Sequence, residues 1–248
     1  MTEFTYKEID TAGVDTLNAL AEADKFNAWM YQTIAPHLKG NILEIGSGIG
    51  NLSEYFLKNN ASIWLSDIRL NYCQYLTNKF AGKSGVREIL QMDLIDPQFD
   101  SKFSYLFNSF DSIFALNVVE HIQDDDLAIK NCRKLLKAGG KLLILVPAYQ
   151  WLYNKFDKEL EHYRRYTKRS LSQLIAKYFT VLHAQYFNLA GIAGWFISGS
   201  VMKKKIIPTS QVRIYNKLVP AFRLIDKLTF NQVGLSVIVV GEKTNAAS

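Results

Sequence analysis

Short apolar segments alternate with segments of helical period through most of this chain, and few architectures accept that alternation. Asn41–Ile45 reads as a strand, Leu52–Asn59 as a helix, Ser62–Ser66 as a second strand and Tyr72–Phe80 as a second helix. Val86–Gln91 and Asp111–Leu116 read as the third and fourth strands. The fifth, Lys141–Val146, is continuously apolar after its lysine, as a strand buried on both faces should be. Thr180–Tyr186 reads as the sixth and Leu235–Val240 as the last. The stretch DDDLAIKNCRKLLKAGG predicts a helix whose acidic start suits the N-terminal partial charge, with Gly139–Gly140 available to end it in the left-handed conformation. A further helix is expected over Thr16–Leu38, and Thr167 can cap one running to Tyr178. The pattern predicts an α/β fold, a doubly wound and mostly parallel sheet covered on both faces.

Composition narrows the class. Among 248 residues, 48% are hydrophobic and 21% charged, which removes disorder as a default. Cys73 and Cys132 stand in helical segments without paired-ligand spacing, so they read as idle thiols and no metal site is expected. The polar start MTEFTYKEID lacks a leader pattern, which predicts a cytoplasmic protein. Charge is uneven. Through Ala148 there are 14 Lys+Arg against 18 Asp+Glu; from Tyr149 onward there are 15 against 5. A basic back half predicts an anionic partner there, such as a membrane surface, a phosphate-bearing substrate or nucleic acid.

The chemistry concentrates where strands end. In ILEIGSGIGN, Gly46, Gly48 and Gly50 lie between the first strand and the next helix, where backbone can approach a ligand closely. The spacing is G-x-G-x-G, not the dinucleotide G-x-G-x-x-G, and Glu44 precedes it. A carboxylate beside the loop repels a pyrophosphate and suits a cationic group. Asp67 follows the second strand, placed for ribose hydroxyls. Asp93 follows the third, able to accept from an exocyclic amine, with Met92 and Leu94 as apolar contacts to a ring. Asn117, Glu120 and His121 follow the fourth, at the edge where open α/β sheets bind ligands. Singly, Asp67 and Asp93 read equally well as turn residues.

From Glu44 to His121 this set resembles the class I S-adenosylmethionine-dependent methyltransferases, and the resemblance runs over roughly Phe26 to Phe187. It implies a Rossmann-like, seven-stranded sheet whose last strand is antiparallel, beside the sixth. It implies S-adenosylmethionine as cofactor: Gly46, Ser47, Gly48 and Gly50 against its methionine part, with Glu44 beneath the loop. Asp67 with Ile68 would face the ribose, Asp93 with Met92 and Leu94 the adenine, and Asn117 the sulfonium. The implied organisation is an N-terminal helical cap over 1–40, a core over 41–187, an insertion over 188–233 and a final strand and tail over 234–248.

The acceptor side is less defined. His121 is the candidate general base, since an imidazole suits proton abstraction near neutral pH, although it reads equally as a structural residue. The stretch ELEHYRRYTKRSL places His162, Arg164, Arg165 and Tyr166 near the expected pocket mouth, where paired arginines can grip a phosphate or carboxylate. Similar H-x-R-R-Y/F stretches occur in quinone-biosynthesis members of the family and in relatives associated with lipid-linked sugars. Internal pairing of these arginines to Asp157 or Glu161 is the competing expectation. Tyr149, Trp151 and Tyr153 can line the acceptor pocket or join the core.

In the insertion, Tyr186–Met202 is uncharged but too short and too rich in glycine to span a bilayer. Beyond Lys203–Lys205, Gln211–Thr229 sets Val212, Tyr215, Val219, Phe222, Ile225 and Leu228 on one helical face and Arg213, Lys217, Arg223 and Lys227 on the other. Pro220 is expected to kink or split that helix. The segment reads as a lid or as an element docking on anionic membrane. The favoured reading is a methyltransferase acting on a small or lipid-linked acceptor. Rivals are a non-catalytic relative of the same fold and a nicotinamide dehydrogenase, whose Tyr75-x-x-x-Lys79 match falls too early in the chain. No N/D-P-P-Y/F motif follows the fourth strand, which disfavours nucleic-acid bases as acceptors.

Overall fold

The computed structural model describes residues 11–201 and 209–244, so the first ten residues and Lys203–Lys205 lie outside the described residues. The strands are β1 (Asn41–Ile45), β2 (Ser62–Asp67), β3 (Val86–Gln91), β4 (Phe110–Leu116), β5 (Leu136–Pro147), β6 (Thr180–Phe187) and β7 (Ser236–Glu242). They form one sheet in the order β3-β2-β1-β4-β5-β7-β6. The pairs from β3 across to β5 are parallel, and β7 runs antiparallel to both β5 and β6. This is the Rossmann-like arrangement expected, with the last strand inserted beside the sixth. The chain order reverses between β1 and β4, so a crevice opens at the carboxyl ends of those strands.

The helices are α1 (Thr11–Ala21), α2 (Asp24–Ile34), α3 (Ser53–Lys58), α4 (Leu70–Lys79), α5 (Phe99–Phe103), α6 (Asp125–Leu135), α7 (Lys155–Glu159), α8 (Lys168–Ala176), α9 (Leu189–Trp195) and α10 (Thr209–Leu228). On one face of the sheet, α5, α6 and α8 bury Phe99, Ile129, Leu135, Leu171 and Ile175. On the other, α2, α3, α4 and α10 bury Trp29, Ile34, Phe56, Leu76 and Val219. Each such side chain contributes about 1.5–3 kcal/mol by leaving water. With both faces covered, the central strands have no polar side to show, hence ILVP at the end of β5.

Several boundaries differ from the sequence expectation. The N-terminal helix is two helices: the chain turns at buried Ala23, and the Asn27 amide donates at 2.8 Å to the Leu20 carbonyl near the end of α1. Helix α6 stops at Leu135, before the glycines, because Leu136 is already paired with Phe110 in the sheet. Gly139 does adopt a positive φ of 73°, but it serves the irregularity that resets the β4–β5 register between Phe110 and Ser112.

Pro220 neither splits nor ends α10, which stays one 20-residue helix. The proline sits on the exposed side, where water can satisfy the carbonyl it frees. Its inner face is Val212, Tyr215, Val219 and Phe222, packed toward Phe26 and the α2 layer. Ile225 and Leu228, expected on that face, are exposed. Among the described residues no helix is long and apolar enough to cross a membrane.

Candidate active site

The loop after β1 is built around positive φ angles at Gly46, Gly48 and Gly50, of 70°, 54° and 76°. A Cβ at Gly46 would collide with Val118 after β4, and one at Gly50 would come within 2.6 Å of the Phe80 ring. Above Gly48 lies Leu17 of α1, and Asn51 Nδ2 donates to the Leu17 carbonyl at 3.0 Å. Helix α1 therefore covers the glycine loop, which sequence reading placed only as an N-terminal cap.

Glu44 is buried beneath the loop and accepts from Ser53 Oγ at 2.5 Å. Desolvation raises its pKa to about 7, against the lowering effect of Ser53 and Ser47. Ser47 also accepts from the Ser66 amide at 3.2 Å, joining the loop to β2. Asp67, buried at the end of β2, accepts from the Gly48 amide at 2.9 Å and the Arg69 amide at 3.0 Å. Burial pushes its pKa up, and those two amides pull against it. Two amides leave further lone-pair positions on the carboxylate. Ile68 is next in line. Asp93 is half-buried, with Oδ1 accepting from the Ile95 amide at 2.9 Å, between buried Met92 and Leu94. Asn117 is exposed at the end of β4 with φ 54°. The loop, three carboxylates and Asn117 thus gather at the carboxyl ends of β1–β4. Carboxylate acceptors with a glycine cradle suit a cationic nucleoside better than a pyrophosphate.

The residues expected on the acceptor side form a second group. His121 ends a 3₁₀ turn after β4 and shows one exposed edge. Desolvation first, then His162 and Arg69, hold its pKa well below the imidazole range; the exposed edge tempers the size of that drop but not its direction. Neighbouring Glu120 is fully buried, and desolvation raises its pKa to about 8. His162 Nδ1 lies 2.8 Å from Asp157 Oδ1, and Arg165 Nε donates to the same oxygen at 2.7 Å. Arg165 also donates to the Ala148 carbonyl at 3.0 Å and lies over the Trp195 ring. Burial alone would raise the Asp157 pKa, but His162 and Arg165 outweigh it and hold it low.

Arg164 pairs with Asp125 at 2.6 Å and donates to the Gln123 carbonyl, while the Tyr166 hydroxyl donates to Asp125 at 2.7 Å. Both arginines of the R-R pair are therefore engaged inside the protein. Asp157 sits at the capping box of α7, a short helix the periodicity did not signal.

Tyr149 follows β5 with a positive φ of 63°, an uncommon conformation for an aromatic residue. It stacks between Tyr186 and Trp151. Beside it opens an apolar cleft of about 470 Å³ lined by Trp151, Leu189, Ile192, Ala193 and Phe196. Its wall is α9, anchored where Asp226 of α10 accepts from the Asn188 and Leu189 amides at 2.6 and 2.9 Å. Trp195 and Phe196 carried no signal in the sequence beyond an uncharged run. A second cleft, of about 320 Å³ and lined by Lys130, Arg133, Lys134 and Lys177, flanks α6 and α8. Two of its lysines are already paired, Lys134 with Asp100 and Lys177 with Asp126.

A family model described as a methyltransferase domain matches residues 43–142, the span from β1 into β5. A ubiquinone/menaquinone biosynthesis C-methyltransferase, UbiE, of Burkholderia mallei is 25% identical over 173 residues, covering 60% of this chain and 69% of the relative. A polyketide synthase-nonribosomal peptide synthetase of Aspergillus clavatus is 32% identical over 114 residues, which is 44% of this chain and only 3% of that far longer protein. Among solved structures, phosphoethanolamine N-methyltransferase 2 of Haemonchus contortus, in complex with S-adenosyl-L-methionine, aligns over 97% of this chain and 61% of its own, with TM-score 0.62 and 15% identity. Residues 43–142 are thus a methyltransferase domain, and its relatives and its fold together support a class I S-adenosylmethionine-dependent methyltransferase. S-adenosylmethionine is the cofactor of that family, and the glycine cradle with Glu44, Asp67 and Asp93 fits it.

Proposed function

We propose that this protein transfers a methyl group to a small acceptor with an apolar tail, presented by a lipid or a lipid-linked carrier. The observation that carries this reading is the apolar cleft beside Tyr149, lined by Trp151, Leu189, Ile192, Ala193 and Phe196. The cofactor supplies a methyl on a sulfonium, and the protein's part is alignment more than acid–base chemistry. Asp67 would hold the ribose, the Gly46–Gly50 loop the methionine part, Asp93 the adenine amine and Glu44 the loop itself. His121, neutral at physiological pH, would take a proton from an acidic acceptor. The UbiE relative is named for ubiquinone/menaquinone biosynthesis and C-methylation, which supports an apolar-tailed acceptor and carbon as the methylated atom.

Attachment to a membrane surface belongs to the same reading. Exposed Ile214, Leu218, Leu224 and Leu228 on α10 stand among Lys217 and Lys227, a combination suited to an anionic interface. With Arg164 and Arg165 engaged internally, an anionic head group is a weaker part of the proposal than the tail. The test is incubation of the purified protein with methyl-tritiated S-adenosylmethionine and a total lipid extract. Label entering the organic phase, and lost when Trp151→Ala and Phe196→Ala are combined, is the expected result. Label found only in water-soluble products would overturn the lipid acceptor.

A further inference from the structure

Three donor side chains meet where the 3₁₀ turn after β4 faces the segment after α7. Glu120 is fully buried, yet neither carboxylate oxygen has a hydrogen-bond partner among the described residues. Its Oε1 lies 4.0 Å from His162 Nε2. The His121 and His162 rings meet edge to face, centroids 4.6 Å apart. One donor atom from each of the three lies within 4.8 Å of the other two. A buried carboxylate left unpartnered is destabilising, so the cluster calls for an occupant.

We propose that Glu120, His121 and His162 form a divalent-metal site, with two imidazole nitrogens and one carboxylate oxygen as ligands and a position left open toward the acceptor. The surroundings suit this role. Asp157 engages His162 Nδ1 at 2.8 Å, which places the ring proton there and leaves the Nε2 lone pair facing Glu120. Carboxylates orient metal-bound histidines in this way. Arg165, donating to Asp157 from behind, fixes that carboxylate in turn. Donor atoms in a tetrahedral shell of radius about 2.0–2.1 Å stand roughly 3.3 Å apart. Closing the observed spread therefore asks Glu120 and His162, 4.0 Å apart, to approach by under 1 Å and His121 to turn, for which its exposed edge leaves room. Mixed nitrogen and oxygen donors favour zinc, cobalt or manganese over magnesium or calcium, which prefer all-oxygen shells.

The chain carries no paired-ligand spacing that would announce such a site, because His162 is distant in sequence from the adjacent Glu120 and His121. The site would hold an oxygen of the acceptor at its open position. A ligated His121 has no lone pair left for a proton, so the metal takes the place of the base role above, and the methyl-transfer reading stands or falls separately.

The experiment is direct binding to chelator-treated, full-length protein: cobalt followed by visible absorption and zinc by calorimetry. One equivalent is expected. Asp157→Asn should weaken binding roughly 10–100-fold, the range for an outer partner, and loss of a ligand in Glu120→Gln or His121→Asn should weaken it further. If Glu120→Gln fails to fold by circular dichroism, His121→Asn at its more exposed position carries the test alone. No binding by the unmodified protein, or binding unchanged in His121→Asn, overturns the site. Ordered water between Glu120 and the unpartnered Nη2 of Arg165 would then account for the cluster.

Discussion

The Asp67 carboxylate accepts from the Gly48 amide at 2.9 Å, so the acidic end of β2 and the middle of the glycine loop form one unit. A ligand engaging one of them meets the other already in place. This coupling gives Asp67 a structural role in the loop beside the binding role proposed for it.

Asp67→Asn should therefore weaken S-adenosylhomocysteine binding by tenfold or more, since a hydrogen bond to a charged group is worth about 1.5–3 kcal/mol. Calorimetry on the purified protein reads this directly, with NAD as a ligand expected not to bind. Unchanged affinity in the variant would remove Asp67 from the cofactor site.

Two glycines with nearly equal φ separate backbone strain from crowding. Gly139→Ala meets only open space and should lose the roughly 1–2 kcal/mol of a left-handed alanine. Gly46→Ala carries the same strain and must also displace Val118, so it should lose distinctly more. Equal losses in chemical denaturation would mean that Val118 moves aside freely.

Glu44 makes stability depend on pH. Its pKa is raised to about 7 by burial, so the folded state binds its proton more tightly than the unfolded chain does. Its favourable contribution is complete below about pH 4.5 and is lost as pH rises through about 7, a swing of up to roughly 3 kcal/mol. Thermal denaturation of Glu44→Gln beside the unaltered protein should show the difference growing in favour of the variant from pH 5 to pH 8. A pH-independent difference would place a charged, well-solvated carboxylate at this position.

Asp157 has the opposite sign. Held below the ordinary carboxylate range by His162 and Arg165, it stabilises above pH 4 and loses that effect only as pH falls lower. Asp157→Asn leaves the buried Arg165 guanidinium without its partner and should cost about 3–5 kcal/mol. Adding Arg165→Met should recover much of that loss, which urea denaturation of the single and double variants would measure.

The exposed residues of α10 predict sedimentation with vesicles rich in phosphatidylglycerol at low salt. Leu218→Ser with Leu228→Ser should reduce it without changing the fold, because neither side chain joins the inner face. No sedimentation of the unaltered protein would leave this surface as ordinary exposed apolar area.

Much of the architecture was legible in the chain because buried parallel strands and amphipathic helices carry different periods. β3 was read to the residue, and Thr167 caps α8 through a capping box with Ser170. The misread boundaries are places where tertiary contacts overrode local signals: sheet pairing of Leu136 ends α6 early, and exposure of Pro220 lets α10 continue. The place of the candidate cofactor residues at the sheet edge was legible for a related reason. Gly46–Gly50 follow β1, Asp67 ends β2 and Asp93 comes two residues after β3, so chain position already implies sheet edge.

The acceptor side had no such register. Arg164 and Arg165 are alike in sequence, yet one faces Asp125 and the other Asp157, and only packing assigns those partners. Likewise Glu120 and His162 meet only because β4 and the segment after α7 end beside each other. The sequence by itself determined the layers, the strand ends and the charge around the cofactor loop, since these follow from periodicity and from residues adjacent in the chain. Which side chains are buried together, which cations are already paired and where an apolar cleft opens were decided by the tertiary structure, because those are contacts between distant segments that no local pattern encodes.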